Sequence, residues 1–139
     1  MKLTTKGRYA VMAMADLAGN GTNRAVSLTE ISLRQNISLS YLEQLFIKLK
    51  SENLVKSLRG SSGGYFLGRA ASKIKLSNII FAVDETVKTL NCKKEAKRGC
   101  NHKSVKCITH NLWDELDQHI NSFFENKNLE ELLNQNKRI

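Results

Sequence analysis

The stretch SLTEISLRQNISLSYLEQLFIKLK, residues 27–50, decides the fold. Ser27 and Glu30 stand at the Ser-x-x-Glu spacing of a capping box, so a short helix opens there and runs through Gln35. Asn36 is a turn residue. Ser38 or Ser40 then starts a second helix, with Ser40 and Glu43 repeating the capping-box spacing. Leu42, Leu45, Phe46 and Leu49 fall at i, i+3, i+4 and i+7, one inward-facing stripe, which leaves Tyr41, Glu43, Gln44, Ile47 and Lys48 to face elsewhere. Two short helices joined by a tight turn, the second with a polar outer face, predict a helix-turn-helix over residues 28–51.

Downstream, Leu54 to Leu58 reads as a strand and Tyr65 to Leu67 as its partner. The glycine-rich, basic RGSSGG of residues 59–64 joins them as a hairpin loop. A hairpin directly after the second helix is the wing of a winged-helix domain, here over residues 54–68. Upstream, the run from Lys6 to Ala18 is rich in helix formers, with Tyr9, Val11, Met12, Met14 and Leu17 mostly on one face, and Gly19, Asn20 and Gly21 end it. Ser77 is predicted to cap a further helix from about Asn78 to Asp84. The expected fold is therefore mainly α: a winged helix-turn-helix domain over residues 1–88.

A chain of 139 residues has room for one compact domain and a modest appendage, which excludes two independent enzymes. Its longest apolar-looking stretch, Leu76 to Val83, is too short to span a bilayer, and the residues after Met1 form no apolar signal core. A cytoplasmic protein with no membrane partner is expected. The net charge of +9 is unevenly spread. Residues 1–89 carry 13 Lys/Arg against 6 Asp/Glu, residues 90–110 carry 6 against 1, and residues 111–139 carry 3 against 6. A basic front with an acidic tail points to a polyanion for the first part.

An α-helix fits the major groove and carries polar side chains to base edges. Ser38, Ser40, Tyr41, Glu43 and Gln44 occupy the start of the second helix, where such contacts are made. Gln44 suits bidentate pairing with adenine; Glu43 accepts from cytosine N4 while repelling phosphates, which makes it a selective binder. A carboxylate in a first turn is also favoured by the helix dipole alone. At the wing tip Arg59, with Gly60 and Ser61, suits minor-groove insertion or a phosphate contact. Lys2, Lys6 and Arg8 add phosphate contacts, each steepening the salt dependence by about 0.9 in log–log slope.

All three cysteines lie in one segment, Cys92-x7-Cys100-x6-Cys107-x2-His110. An odd number in a chain without export signals argues against a disulfide framework, and clustering argues for metal or redox chemistry. Three thiolates and an imidazole suit tetrahedral zinc or an iron–sulfur cluster. The wide spacing is unlike a zinc finger, but spacing alone does not separate the two metals. Lys93, Lys94, Lys97, Arg98, Lys103 and Lys106 favour thiolates and offset the charge of a thiolate-ligated centre. His102 competes with His110 as fourth ligand, whereas His119 reads as structural or exposed. Thr109 or Asn111 caps a last long helix on which Leu112, Leu116, Ile120 and Phe123 form a stripe, flanked by Trp113 and Phe124 and opposed by Asp114, Glu115 and Asp117. Such a stripe wants a partner surface, and a second copy of the chain is the economical one, with docking on the chain's own first domain as the alternative.

The segments MKLTTKGRYA (1–10), ISLSYLEQLF (37–46), RGSSGGY (59–65), AVDE (82–85) and CITHNLW (107–113) carry a resemblance to the iron–sulfur cluster regulators, a branch of the winged-helix transcription regulators. It spans about residues 1–133, and the last motif separates this branch from relatives that sense nitric oxide or cysteine metabolism. The resemblance implies a homodimer holding one 2Fe–2S cluster per subunit through Cys92, Cys100, Cys107 and His110. It implies that the loaded protein represses the genes for cluster assembly, with the assembly machinery as cluster source, while the cluster-free form binds a second class of promoter. Glu43 matches the residue that makes this discrimination. Two departures stand out: Ser61 replaces the proline usual in the family's wing, which implies a less rigid wing, and the cysteine loops are slightly longer and contain His102.

The expected organisation is thus a winged-helix domain (1–88), a cluster-binding loop (89–110), and a dimerisation helix with the C-terminus (111–133). No enzyme is expected. The rival readings are a winged-helix regulator whose Cys₃His site holds structural zinc or senses thiol redox state, and an electron-transfer or cluster-carrier protein with incidental basic charge.

Overall fold

The computed structural model describes residues 4–61, 63–84 and 108–137. Helix α1 (Thr5–Asn20) buries Ala10, Ala13, Met14 and Leu17 along one face and is closed by Gly21. Helix α2 (Leu28–Gln35) is capped by Ser27, whose Oγ accepts from the Glu30 N–H at 3.2 Å. The Glu30 carboxylate is bonded to Arg24 and Arg34, and the Ser27 backbone N–H adds a weaker hydrogen bond to it, the return half of the box. Asn36 turns the chain in the left-handed region (φ 54°), at low cost for Asn. Helix α3 (Leu39–Ser51) is then capped by Ser38, whose Oγ accepts from the Tyr41 N–H at 3.1 Å; Ser40 lies inside the first turn. Leu42, Leu45, Phe46 and Leu49 are all buried, as their spacing predicts.

Strands β1 (Val55–Leu58) and β2 (Gly64–Leu67) pair antiparallel, with Val55 opposite Leu67 and Leu58 opposite Gly64. The wing is anchored by Val26, which exchanges two backbone hydrogen bonds with Tyr65 at 2.8 and 2.7 Å. That approach requires Gly64: at φ +154° it lies so close to Val26 that a Cβ would sit 2.5 Å from the Val26 backbone. Beneath the wing the Tyr65 ring meets Phe46 edge-on, centroids 4.8 Å apart.

A single 3₁₀ turn (Ala71–Lys73) leads to α4 (Leu76–Ala82), which starts two residues before the predicted Asn78. Ser77 is not its cap; the Asn78 Oδ1 reaches back to accept from the Lys75 N–H at 2.9 Å. After Asp84 the description resumes at Ile108, and α5 (His110–Glu125) follows Thr109. The Thr109 hydroxyl accepts from Trp113 Nε1 at 3.0 Å, a side-chain contact in place of a backbone cap.

A final helix, α6 (Leu129–Lys137), has no counterpart in the sequence reading. The turn between α5 and α6 is stitched to the strand-like residues before α4: Leu76 N–H donates to the Lys127 carbonyl (2.9 Å) and Leu129 N–H to the Ile74 carbonyl (3.1 Å). Leu129 is fully buried in the same core as Met14, Phe46 and Ile79. Asp117, expected on the outer face of α5, is buried, while Leu112, Trp113, Leu116 and Phe123 remain exposed. Phe124 packs against this core, so α5 rests on it through only part of its surface.

Leu129 should therefore act as a core residue despite its place near the end of the chain. Leu129→Ala is expected to cost about 2–5 kcal/mol, read as a lower urea midpoint with unchanged m; a wild-type midpoint would detach α6 from the core.

Candidate nucleic-acid interface

Burial of the Leu42/Leu45/Phe46/Leu49 stripe dictates what α3 shows to solvent. Ser40, Glu43, Gln44 and Ile47 are exposed on its outer side. Tyr41 is half-buried, its ring edge-on to Tyr9 of α1 with centroids 5.8 Å apart, so α1 restrains it. Ser38 is spent on the cap, its Oγ also lying 3.4 Å from that of Ser40. The far end of α3 is fixed twice. Lys50 Nζ donates to Ser57 Oγ of β1 at 2.8 Å, and Lys48 Nζ lies 3.0 Å from the Asp84 carboxylate just beyond α4.

At the wing tip Arg59, Gly60 and Ser61 are all exposed. Gly60 has φ +117°, a conformation that suits glycine, and its carbonyl accepts from the Gly63 N–H at 3.0 Å, closing the tip. Lys56 projects from β1 into solvent, Lys6 is half-buried and Arg8 is exposed on α1, while Lys2 lies outside the described residues. Exposed polar side chains on a capped helix and an exposed arginine on an adjacent hairpin have the two-point arrangement with which winged helices reach DNA grooves.

Of the candidate metal ligands, Cys92, Cys100 and Cys107 lie outside the described residues, as does His102. His110 is described: it is the first residue of α5 and half-buried. His119 sits on the exposed side of α5, 3.8 Å from Glu115, away from that end. Among the described residues there is no group of three or more His, Cys, Asp or Glu arranged to hold a metal, and no helix is long and apolar enough to cross a membrane.

A polar network under the helix-turn-helix escaped the sequence reading. The Asp16 carboxylate, its side chain 1% exposed, receives Arg34 through Nε (2.9 Å) and Nη2 (2.7 Å) and Gln35 through Nε2 (2.8 Å). Burial pushes the Asp16 pKa up, but these donors outweigh it and hold the carboxyl below its ordinary 3.8. Glu30, bonded first to Arg24 and then to Arg34, drops from 4.5 to about 2. The available signal was a lone carboxylate in the apolar run AVMAMADLA of α1.

A recognition helix launched from a short first helix and followed by a wing defines a winged-helix DNA-binding protein. The chain belongs to the Rrf2 family of transcriptional regulators: the family model described as an iron-dependent transcriptional regulator matches residues 3–135. It is 49% identical over 134 residues to the HTH-type transcriptional regulator IscR of Photorhabdus laumondii, covering 96% of this chain and 80% of that one. The regulator of the same name from Yersinia pseudotuberculosis is 50% identical over the same span and coverage. Among solved structures, T. potens IscR matches with a TM-score of 0.78 at 33% identity, covering 97% of this chain and 88% of that one. CymR, the global cysteine regulator of B. subtilis, matches at 0.77 and 32%, covering 97% and 98%. The protein is a DNA-binding transcription regulator and not an enzyme.

The low pKa of Glu30 makes stability depend on acid pH. A carboxylate depressed on folding stabilises the fold fully above its unfolded pKa and loses that contribution as pH falls through its folded value. For Glu30 the window runs from 4.5 down to about 2. Arg24→Gln is therefore expected to flatten the decline of urea midpoint with acidification in this window; an unchanged slope would refute the assignment.

Proposed function

We propose that this regulator senses iron–sulfur supply: a 2Fe–2S cluster, one per subunit, is held by Cys92, Cys100, Cys107 and His110, and its presence changes which operators the dimer occupies. The observation that carries this reading is the position of His110. It opens α5, where the positive end of the helix favours anionic ligands, and α5 packs on α4, which in turn packs on α3. A ligand change at His110 thus acts on an element two contacts from the groove-reading surface. The donor chemistry fits as well: three thiols and an imidazole in a segment carrying six cationic side chains against one acidic suit an iron–sulfur centre. The relatives named IscR at about half identity support the same reading.

When bound, the cluster supplies a reversible occupancy signal. The chain's own residues turn it into DNA choice. Gln44, Ser40 and Tyr41 contact base edges or the adjoining backbone, Ser38 holds the helix end that presents them, and Arg59, Gly60 and Ser61 enter the flanking groove, with Lys2 on phosphate. Glu43 is the discriminator, since a carboxylate near phosphates is tolerated only where a base-edge donor such as cytosine N4 meets it. The exposed Leu112, Trp113, Leu116 and Phe123 of α5 form the homodimer face, with the winged domain at 1–88, the ligand loop at 89–110 and the dimer segment at 111–133. Two recognition helices per dimer then read paired half-sites. Loaded dimers repress cluster-assembly genes in the cytoplasm, the assembly machinery being the cluster source.

Purified without oxygen, the protein should be coloured, with iron and sulfide near two each per subunit, whereas Cys107→Ala should be colourless, folded, dimeric and still able to bind some duplex sites. A colourless wild type with stoichiometric zinc would overturn the cluster; loss of all specific DNA binding in the variant would overturn the switch.

A further inference from the structure

We infer that Asp16, a residue of α1 with no access to DNA, is a positioning residue for sequence reading: it fixes the roll and angle of the helix-turn-helix through Arg34 and Gln35. The first observation is how little apolar surface holds α2. Of its eight residues only Ile31 is buried, while Leu33 points to solvent at 81% exposure. Beside Ile31 only Leu28 packs half-buried against the core, and two aliphatic contacts one turn apart locate a helix but fix its roll weakly, because dispersion and burial carry no direction. The fork from Arg34 to both Asp16 oxygens, with Gln35 on Oδ2, supplies the direction.

The second observation is where the fork acts. Arg34 and Gln35 are the last two residues of α2, next to the left-handed Asn36. Ser32 Oγ donates to the Ile37 carbonyl at 2.6 Å, so the turn moves with the end of α2 as one piece. Helix α3 is launched from that piece at Leu39. Gln44 lies about 7.5 Å along α3 from Leu39 at 1.5 Å rise per residue, so a rotation of roughly 10° displaces its backbone by about 1.3 Å, enough to break a hydrogen bond made at about 2.7–3.2 Å. Glu30 and Arg24 extend the network toward Val26 and the wing: Glu30 takes Arg34 Nη1 at 3.2 Å and Arg24 Nη2 at 2.8 Å. The helix-turn-helix and the root of the wing are thereby referred to one buried carboxylate. Buried ion pairs add little net stability compared with apolar replacements, so the role inferred for this one lies in the fixed directions of its fork.

The experiment compares wild type, Asp16→Asn and Arg34→Lys on two duplexes: one selected by the wild-type protein from a random pool, and a scrambled duplex of equal length. Binding is followed by fluorescence anisotropy at several salt concentrations, below the melting temperature of each variant. Asp16→Asn is expected to weaken binding to the selected duplex about tenfold or more, with the scrambled duplex and the log–log salt slope unchanged. Arg34→Lys, which keeps the charge and loses the fork, is expected to fall between them. If folded variants keep the wild-type ratio of selected to scrambled affinity, or if both affinities fall together, the network merely stabilises and the inference is overturned. Should Asp16→Asn not fold, Arg34→Lys decides, because its side chain is one-third exposed and the ammonium can reach water.

Discussion

Burial of Leu42, Leu45, Phe46 and Leu49 beneath α3 is the constraint on which the rest of the molecule depends. A thirteen-residue helix has a fixed angular order of side chains, so committing that stripe to the core leaves Ser40, Glu43 and Gln44 no direction but outward. The same packing sets the wing, because Phe46 supports Tyr65 and Tyr65 pairs with Val26. A DNA-reading surface made of a helix and a hairpin is in this sense a by-product of one apolar stripe and one glycine, Gly64, that lets the hairpin approach.

Directional polar contacts complete what apolar packing leaves undetermined. Ser27 and Ser38 set where α2 and α3 begin, Asn36 sets the turn, and the Asp16 fork ties the end of α2 to α1. At the opposite side, backbone hydrogen bonds from Leu76 and Leu129 tie the α5–α6 turn to the root of α4. Helix α4 therefore touches the recognition helix on one side and the His110-bearing helix on the other. Any strain arising near His110 meets a packed body rather than a loose tail, and discrete rearrangement of such a body is how small changes at a ligand site reach a distant surface.

The parts legible in the sequence were those encoded over a few residues. The i, i+3, i+4, i+7 stripe, the Ser caps, Asn36 and the glycine-rich hairpin all speak locally, and the helix-turn-helix and wing follow within a residue or two. Ambiguity between Ser38 and Ser40 was decided by which hydroxyl meets a free N–H, and Ser77 lost its capping role to Asn78 because Lys75 already sits in an extended pairing with Asn128. What was not legible depends on contacts far apart in sequence. Asp16 and Arg34 are 18 residues apart, and the Ile74–Leu76 pairing with 127–129 spans more than 50 residues of chain. The docking of α6 goes with that second pairing, and neither it nor the burial of Asp117 is announced by any periodicity. For the proposed metal site the sequence offers donor types and spacing; His110 falls at the start of α5, and the three cysteines lie outside the described residues.

The central claim is that occupancy of the Cys₃His site selects the operator. The direct measurement is parallel selection of duplexes from one random pool, without oxygen, by the coloured protein and by the same preparation after chelator removal of its iron. Two separable families of sites are predicted, one retained only by the loaded protein and one bound by both. Recovery of a single family with equal affinity in both arms would contradict the account.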